Sequence, residues 1–234
     1  MRAAFGFLTV LGGARRPEAS TFHWFPVVGL VVGGVLGGVW WAAGEVWPPL
    51  IAAVVVVAAD LGLTGMLHFD GLADTADGLL VHDADQDHRL AIMRAPDVGA
   101  YGAATVAVVL LARVAGFAAL EPEPLLVAGL WTASRSVVAL VPTVVPYARE
   151  EGLASEFLGG PARLGPAIGL LGGTVLCVLA VDGPGVAAVA GLVLGVAGVV
   201  VAARRLVGGF TGDVLGASAV VGETVGLLVA AARW

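Results

Sequence analysis

The sequence contains no lysine and a single cysteine, and charged residues fill only 13% of its 234 positions. Each shortage excludes something. With Cys177 alone inside an apolar run, no intramolecular disulfide can form, and the redox compartment is left unconstrained. A soluble domain carries about 25% charged residues. About half that share, beside 59% hydrophobic residues and a mean hydropathy of +0.96, leaves too little polar surface to cover a water-soluble fold. A formal charge of −6 excludes the basic stripe that phosphate neutralisation needs, so no nucleic acid is expected as a partner. No stretch resembles a long flexible linker, and residues 1–234 read as one membrane-embedded catalytic domain.

What the chain has is apolar length. Crossing the hydrocarbon takes about 20 apolar residues, and segments 26–47, 49–67, 99–120, 124–146, 164–182, 184–207 and 212–232 meet that need. The expected fold class is therefore all-α, a polytopic integral membrane bundle of about seven transmembrane helices. Pro48-Pro49, the turn from Glu121 to Pro124 and the turn from Asp182 to Pro184 separate close neighbours. The run from Ala3 to Gly13 is too short to span and is expected to lie at the interface. Glycines at four-residue spacing, Gly29, Gly33 and Gly37 and again Gly165, Gly169 and Gly173, let helix backbones approach closely in lipid.

Orientation follows from the arginines, because short cytoplasmic loops retain them. Arg2, Arg15, Arg16, Arg89, Arg94, Arg149, Arg163, Arg204 and Arg205 fall on one side of these spans, while the opposite loops hold only Glu45, Glu121, Glu123 and Asp182 as charges. The N-terminus is expected in the cytoplasm and, with seven spans, the C-terminus across the membrane. The expected location is the cytoplasmic (plasma) membrane.

The chemistry gathers after span two. In a helix, Asp70, Asp74 and Asp77 stand at i, i+4 and i+7, which places three like charges on one face. A divalent cation turns that repulsion into binding, and Mg²⁺ favours carboxylates shared with phosphates and water. Asp83, Asp85 and Asp87 just downstream read as solvated loop acids. Three further cytoplasmic stretches can meet the acidic face: Arg94 to Gly99, Tyr147 to Gly152 and Gly208 to Asp213. Arg94 and Arg149 there suit phosphate oxygens, and glycines around Asp213 permit close approach of a phosphate, although Thr211 and Asp213 also suit a helix start. His68 is open to three roles: base, metal ligand, or capping and packing. Inside the spans, Asp60, Arg135 and Glu223 lie about 10–11 residues from the cytoplasmic ends, roughly 15–16 Å at helical rise. Arg135 is expected to be neutralised by Glu223 or Asp60, since an unpaired charge at that depth is costly.

The run Leu67-His68-Phe69-Asp70-Gly71-Leu72-Ala73-Asp74-Thr75-Ala76-Asp77-Gly78 resembles the most distinctive segment of the cobalamin synthase family, adenosylcobinamide-GDP ribazoletransferase. Phe25 to Gly29, Ile92-Met93-Arg94 with Gly99, Ser134-Arg135, Tyr147 to Gly152, and Thr211-Gly212-Asp213 with Leu215-Gly216-Ala217 match in the family's order. The resemblance implies that adenosylcobinamide-GDP is joined to α-ribazole or its 5′-phosphate, releasing GMP, with Mg²⁺ as cofactor. It implies Asp70, Asp74 and Asp77 as metal ligands, His68, Asp77 and Asp213 as catalytic residues, and Arg94, Arg149 and Arg135 as substrate-binding residues. The expected partners are these two substrates and the lipid bilayer, with a homo-oligomer left open. One departure stands out: Val220 occupies a position where the family often has Glu, three residues before Glu223.

Two other classes compete. CDP-alcohol phosphotransferases and prenyltransferases also place aspartate-rich segments at membrane helix ends, but their usual spacings are absent. An ion-coupled transporter would use Asp60, Arg113, Arg135 and Glu223 as its pathway and would show symmetry between halves; the sequence has no convincing internal repeat.

Overall fold

The computed structural model describes residues 1–11, 19–149 and 163–233. Arg15, Arg16 and the Glu150-Glu151-Gly152 end of the loop after span four lie outside the described residues. Ten α-helices and no strand occur among those described: α1 (Arg2–Leu8), α2 (Phe25–Gly44), α3 (Pro49–Thr64), α4 (Leu67–Leu80), α5 (Gln86–Ile92), α6 (Ala100–Ala118), α7 (Pro124–Leu140), α8 (Leu164–Val181), α9 (Gly183–Val207) and α10 (Gly212–Ala230). A 3₁₀ turn, Ala19–Trp24, leads into α2, and another, Val141–Thr143, follows α7.

Local chemistry sets the helix starts. Pro26, Pro49, Pro124 and Pro184 sit in first turns, where a missing N–H costs nothing. The Glu123 carboxylate accepts from Leu125 N at the start of α7, and the Thr211 hydroxyl accepts from Val214 N at the start of α10. Six helices, α2 with its leading 3₁₀ turn and α6 to α10, are long and apolar enough to cross a membrane. The expected second span requires a correction. It does not run straight over 49–67. The helix ends at Thr64, and the chain turns by 90° into α4, so that α3 and α4 pass as a span only when taken together. Gly65 and Met66, both at φ +60°, make the break, and Val10 N donates to the freed Leu63 carbonyl. Val10 lies just beyond the short α1, which packs against α2.

Helices α7 and α10 form the interior, with about three quarters of each buried, whereas α8 turns most of its surface outward. The largest packings are α2 on α7, α9 on α10, α7 on α8, and α4 on α10. A Cβ on Gly29 would stand 2.5 Å from the Trp131 carbonyl, one on Gly33 2.8 Å from that of Val127, and one on Gly37 2.7 Å from that of Pro124. The four-residue glycine stripe is thus the seam between α2 and α7. Gly173 plays the same part between α8 and α7, where its Cβ would meet the Gly129 carbonyl at 2.7 Å.

Candidate functional site at the junction of α4 and α10

The segment Leu67–Leu80 is helical because its polar and apolar positions separate cleanly by face. Phe69 and Leu72 pack with Ala217 and Val220 of α10, while Asp70 is exposed and Asp74 half-buried. Gly71 brings the two helices together: a Cβ there would stand 2.8 Å from the Asp213 carbonyl. Gly216 does the same from the other side, at 3.3 Å from the His68 Cα. Small residues on both helices therefore set Asp70 and Asp74 beside Asp213. Asp74 lies within electrostatic reach of Asp213, Asp70 and Asp77, with the Arg149 guanidinium opposing them.

Asp77 shares the face but has a different occupation. It is buried, and its two carboxylate oxygens accept from Gly99 N at 2.7 Å and Gly102 N at 2.8 Å. The carboxylate thereby satisfies orphan donors at the first turn of α6 and answers its positive dipole end. Arg89, buried, does the converse for α4, donating to the Gly78 and Leu79 carbonyls at 3.0 and 2.9 Å. The sequence reading takes Arg89 only as an orientation signal; a basic side chain shortly after a helix end is the cue to a capping role. Asp85 accepts from His88 N and caps α5, whose first turn holds Asp87, so two of the three downstream acids begin a short helix where a solvated loop is expected from the sequence.

A short parallel backbone pairing holds the remaining pieces. Phe210 N donates to Pro146 O at 3.0 Å and Ala148 N to Phe210 O at 2.9 Å, so the strand-like link after α7 lies against the turn before α10. Gly208, at φ +80°, ends α9 and opens that turn. The pairing delivers Arg149 to Asp213, where its Nη2 donates to the carboxylate at 2.8 Å and reaches toward Met93 O at 3.5 Å. Arg149 Nε is buried without a partner among the described residues. Arg94 is exposed on the same side of the fold and makes no side-chain hydrogen bond within the described residues. Thr211 fills its helix-start role and also donates to Asp213 at 3.2 Å.

Between α1, α4, α7 and α10 lies a cavity of about 120 Å³, whose polar lining is His68, Asp70, Arg135 and Asp213 and whose apolar wall includes Phe7 and Leu8. His68 is 5% exposed, and its Nδ1 has no partner among the described residues. Below the cavity the intramembrane charges form one network. Arg113 donates to Asp60 at 2.5 Å and to Glu223 Oε2 at 2.6 Å, and Arg135 donates to Glu223 Oε1 and to Ser134 Oγ. Pairing Arg135 with Glu223 is as depth predicts. Asp60 instead belongs to Arg113, which depth counting misses because it stands about 14 residues from the start of its span at 99, roughly 21 Å at helical rise. Val220, at the departure from the family pattern, offers its carbonyl to Arg113 Nη2 at 3.2 Å and its side chain to Phe69.

Hard oxygen donors at Asp70, Asp74 and Asp213 suit Mg²⁺ rather than a soft metal. Among the described residues no three His, Cys, Asp or Glu side chains converge into a closed cage. Residues 1–231 match the family described as cobalamin-5-phosphate synthase. Relatives named adenosylcobinamide-GDP ribazoletransferase include one from Bradyrhizobium diazoefficiens, 38% identical over 99% of this chain and 93% of its own. One from Chlorobium phaeobacteroides is 35% identical over 90% and 87%, and one from Escherichia coli 36% identical over 87% and 84%. No solved structure matches the chain. An ordered set of motifs, a membrane bundle and a match over nearly every residue agree, and the chain belongs to the cobalamin-5-phosphate synthase family.

Proposed function

We infer that the protein is an adenosylcobinamide-GDP ribazoletransferase, a membrane transferase of late cobalamin assembly. The single observation that carries this is the whole-chain match to relatives of that name. The residues around the cavity supply groups suited to the reaction. The ribazole 3′-hydroxyl attacks the phosphoryl group bearing cobinamide, a new P–O bond forms, the P–O bond to GMP breaks, and GMP leaves. His68, which lines the cavity and whose Nδ1 has no partner among the described residues, accepts the hydroxyl proton. Arg135 and Arg149 hold diphosphate oxygens, and Arg94, exposed on the same side, guides the anionic substrate toward them. Asp70, Asp74 and Asp213 are the carboxylates that would share a Mg²⁺ ion with water and substrate phosphate, and the ion would neutralise charge on the diphosphate and the departing GMP. Asp77 acts from behind, by fixing α6 against α4. At about 120 Å³ the cavity takes the reacting phosphoryl centre only, so the corrinoid and the guanosine lie outside it.

The arginine asymmetry supports a site on the cytoplasmic face, with the N-terminus on the same side. A cysteine introduced near Asp83 should react only from the cytoplasmic side and one near Glu121 only from the other; reversed labelling would overturn this orientation. The activity itself is tested with purified protein, adenosylcobinamide-GDP, α-ribazole 5′-phosphate and Mg²⁺. GMP should appear in step with the corrinoid product. Absence of GMP with correctly folded protein would overturn the assignment. The transporter alternative loses its motive, since its four intramembrane charges are mutually paired.

A further inference from the structure

Arg113 is 1% exposed and lies outside the cavity, yet it touches α4, α7 and α10, three of the helices that build it. Its guanidinium joins Asp60 of α3 to Glu223 of α10, and its Nε donates to Thr224 at 3.0 Å. Phe69 of α4, between His68 and Asp70, has its ring 5.3 Å away, and Trp131 of α7 has its ring at 5.2 Å. Two cations, Arg113 and Arg135, and two anions, Asp60 and Glu223, make the network neutral.

The arrangement has a consequence for Arg135. A carboxylate facing one arginine tends to bind it through both oxygens, fork to fork. Glu223 cannot do so here, because Oε2 belongs to Arg113 and only Oε1 is left for Arg135. Arg135 is therefore tethered through Nη1, to Glu223 and Ser134, and its other guanidinium nitrogens make no hydrogen bond within the described residues. The residue lines the cavity in that state. We propose that Arg113 is a positioning residue: by occupying one oxygen of Glu223 it keeps the Arg135 guanidinium turned to the cavity as an anion receptor, and by stacking on Phe69 it holds α4 in register with that receptor. The inference rests on the cavity being the diphosphate site.

The test compares steady-state kinetics of Arg113→Lys, Thr224→Val and Arg135→Lys, with melting temperature in detergent measured alongside. An ammonium cannot bridge two carboxylates in the fork geometry of arginine, so Arg113→Lys frees Glu223 to draw Arg135 away. KM for adenosylcobinamide-GDP should rise about tenfold, with kcat at saturation changed less than about threefold. Thr224→Val keeps the side-chain shape and removes one acceptor from Arg113; it should raise KM by a smaller factor, and it decides the matter if Arg113→Lys does not fold. A merely structural Arg113 would lower the active fraction, and so apparent kcat, at unchanged KM. Raised KM in Arg135→Lys with unchanged KM in the folded Arg113 or Thr224 variant overturns the proposal. Unchanged KM in Arg135→Lys overturns the reading of the cavity beneath it.

Discussion

Removing the Asp77 carboxylate takes the acceptors from two backbone donors of α6 at once. Asp77→Ala should therefore cost about 1–2 kcal/mol of stability, the usual loss for an N-terminal helix cap. Asp74→Ala should cost little or nothing, because Asp74 is half-buried, makes no hydrogen bond among the described residues, and stands among like charges. Thermal melts of the two variants in the same detergent check this, and equal losses would contradict the division of roles. The sequence shows that Asp70, Asp74 and Asp77 share a face, because helical period is a local property. It does not show which element arrives at the end of that face. Gly99 and Gly102 come 22 and 25 residues later in the chain, and only the fold brings them to Asp77.

At the level of elements, the break between α3 and α4 decides where the acidic helix lies. Met66 holds φ +60° there, a left-handed conformation that costs a residue with a Cβ about 1–2 kcal/mol. Its side chain is 58% exposed, so little packing is lost when it changes. Met66→Gly should raise the melting temperature, and Met66→Val, which adds β-branching at positive φ, should lower it. The opposite order would mean that the turn is held by something other than backbone geometry. This break was the least legible part of the fold. Between Pro49 and Leu67 the residues are apolar apart from Asp60 and Thr64, and only Gly62 and Gly65 punctuate them, whereas Pro48, Pro124 and Pro184 mark the other boundaries openly. The glycine stripe on α2 was fully legible, since its four-residue spacing matches the helix period and α7 answers it with backbone carbonyls.

Across the whole molecule, the network of Asp60, Arg113, Arg135 and Glu223 ties α3, α6, α7 and α10 into one body. Breaking a buried pair by removing one partner costs about 3–5 kcal/mol, while removing both costs much less. Arg135→Met and Glu223→Gln should therefore be strongly non-additive in a double-mutant cycle on thermal stability, as should Arg113→Met and Asp60→Asn. Arg135→Met with Asp60→Asn should come closer to additive, since Glu223 and Arg113 stand between them. Depth matched Asp60, Arg135 and Glu223 and missed Arg113; the partner choice came from lateral packing, which no single helix encodes. The central claim is that phosphoryl transfer runs on Mg²⁺ held where α4 meets α10. Its most direct test is GMP release by Asp74→Asn and Asp85→Asn, both verified as folded and inserted, across a range of Mg²⁺ concentrations. The account predicts that Asp85→Asn, whose carboxylate only caps α5, keeps its activity, while Asp74→Asn loses most of it and recovers in part at high Mg²⁺. Near-normal turnover by Asp74→Asn at low Mg²⁺ would contradict it.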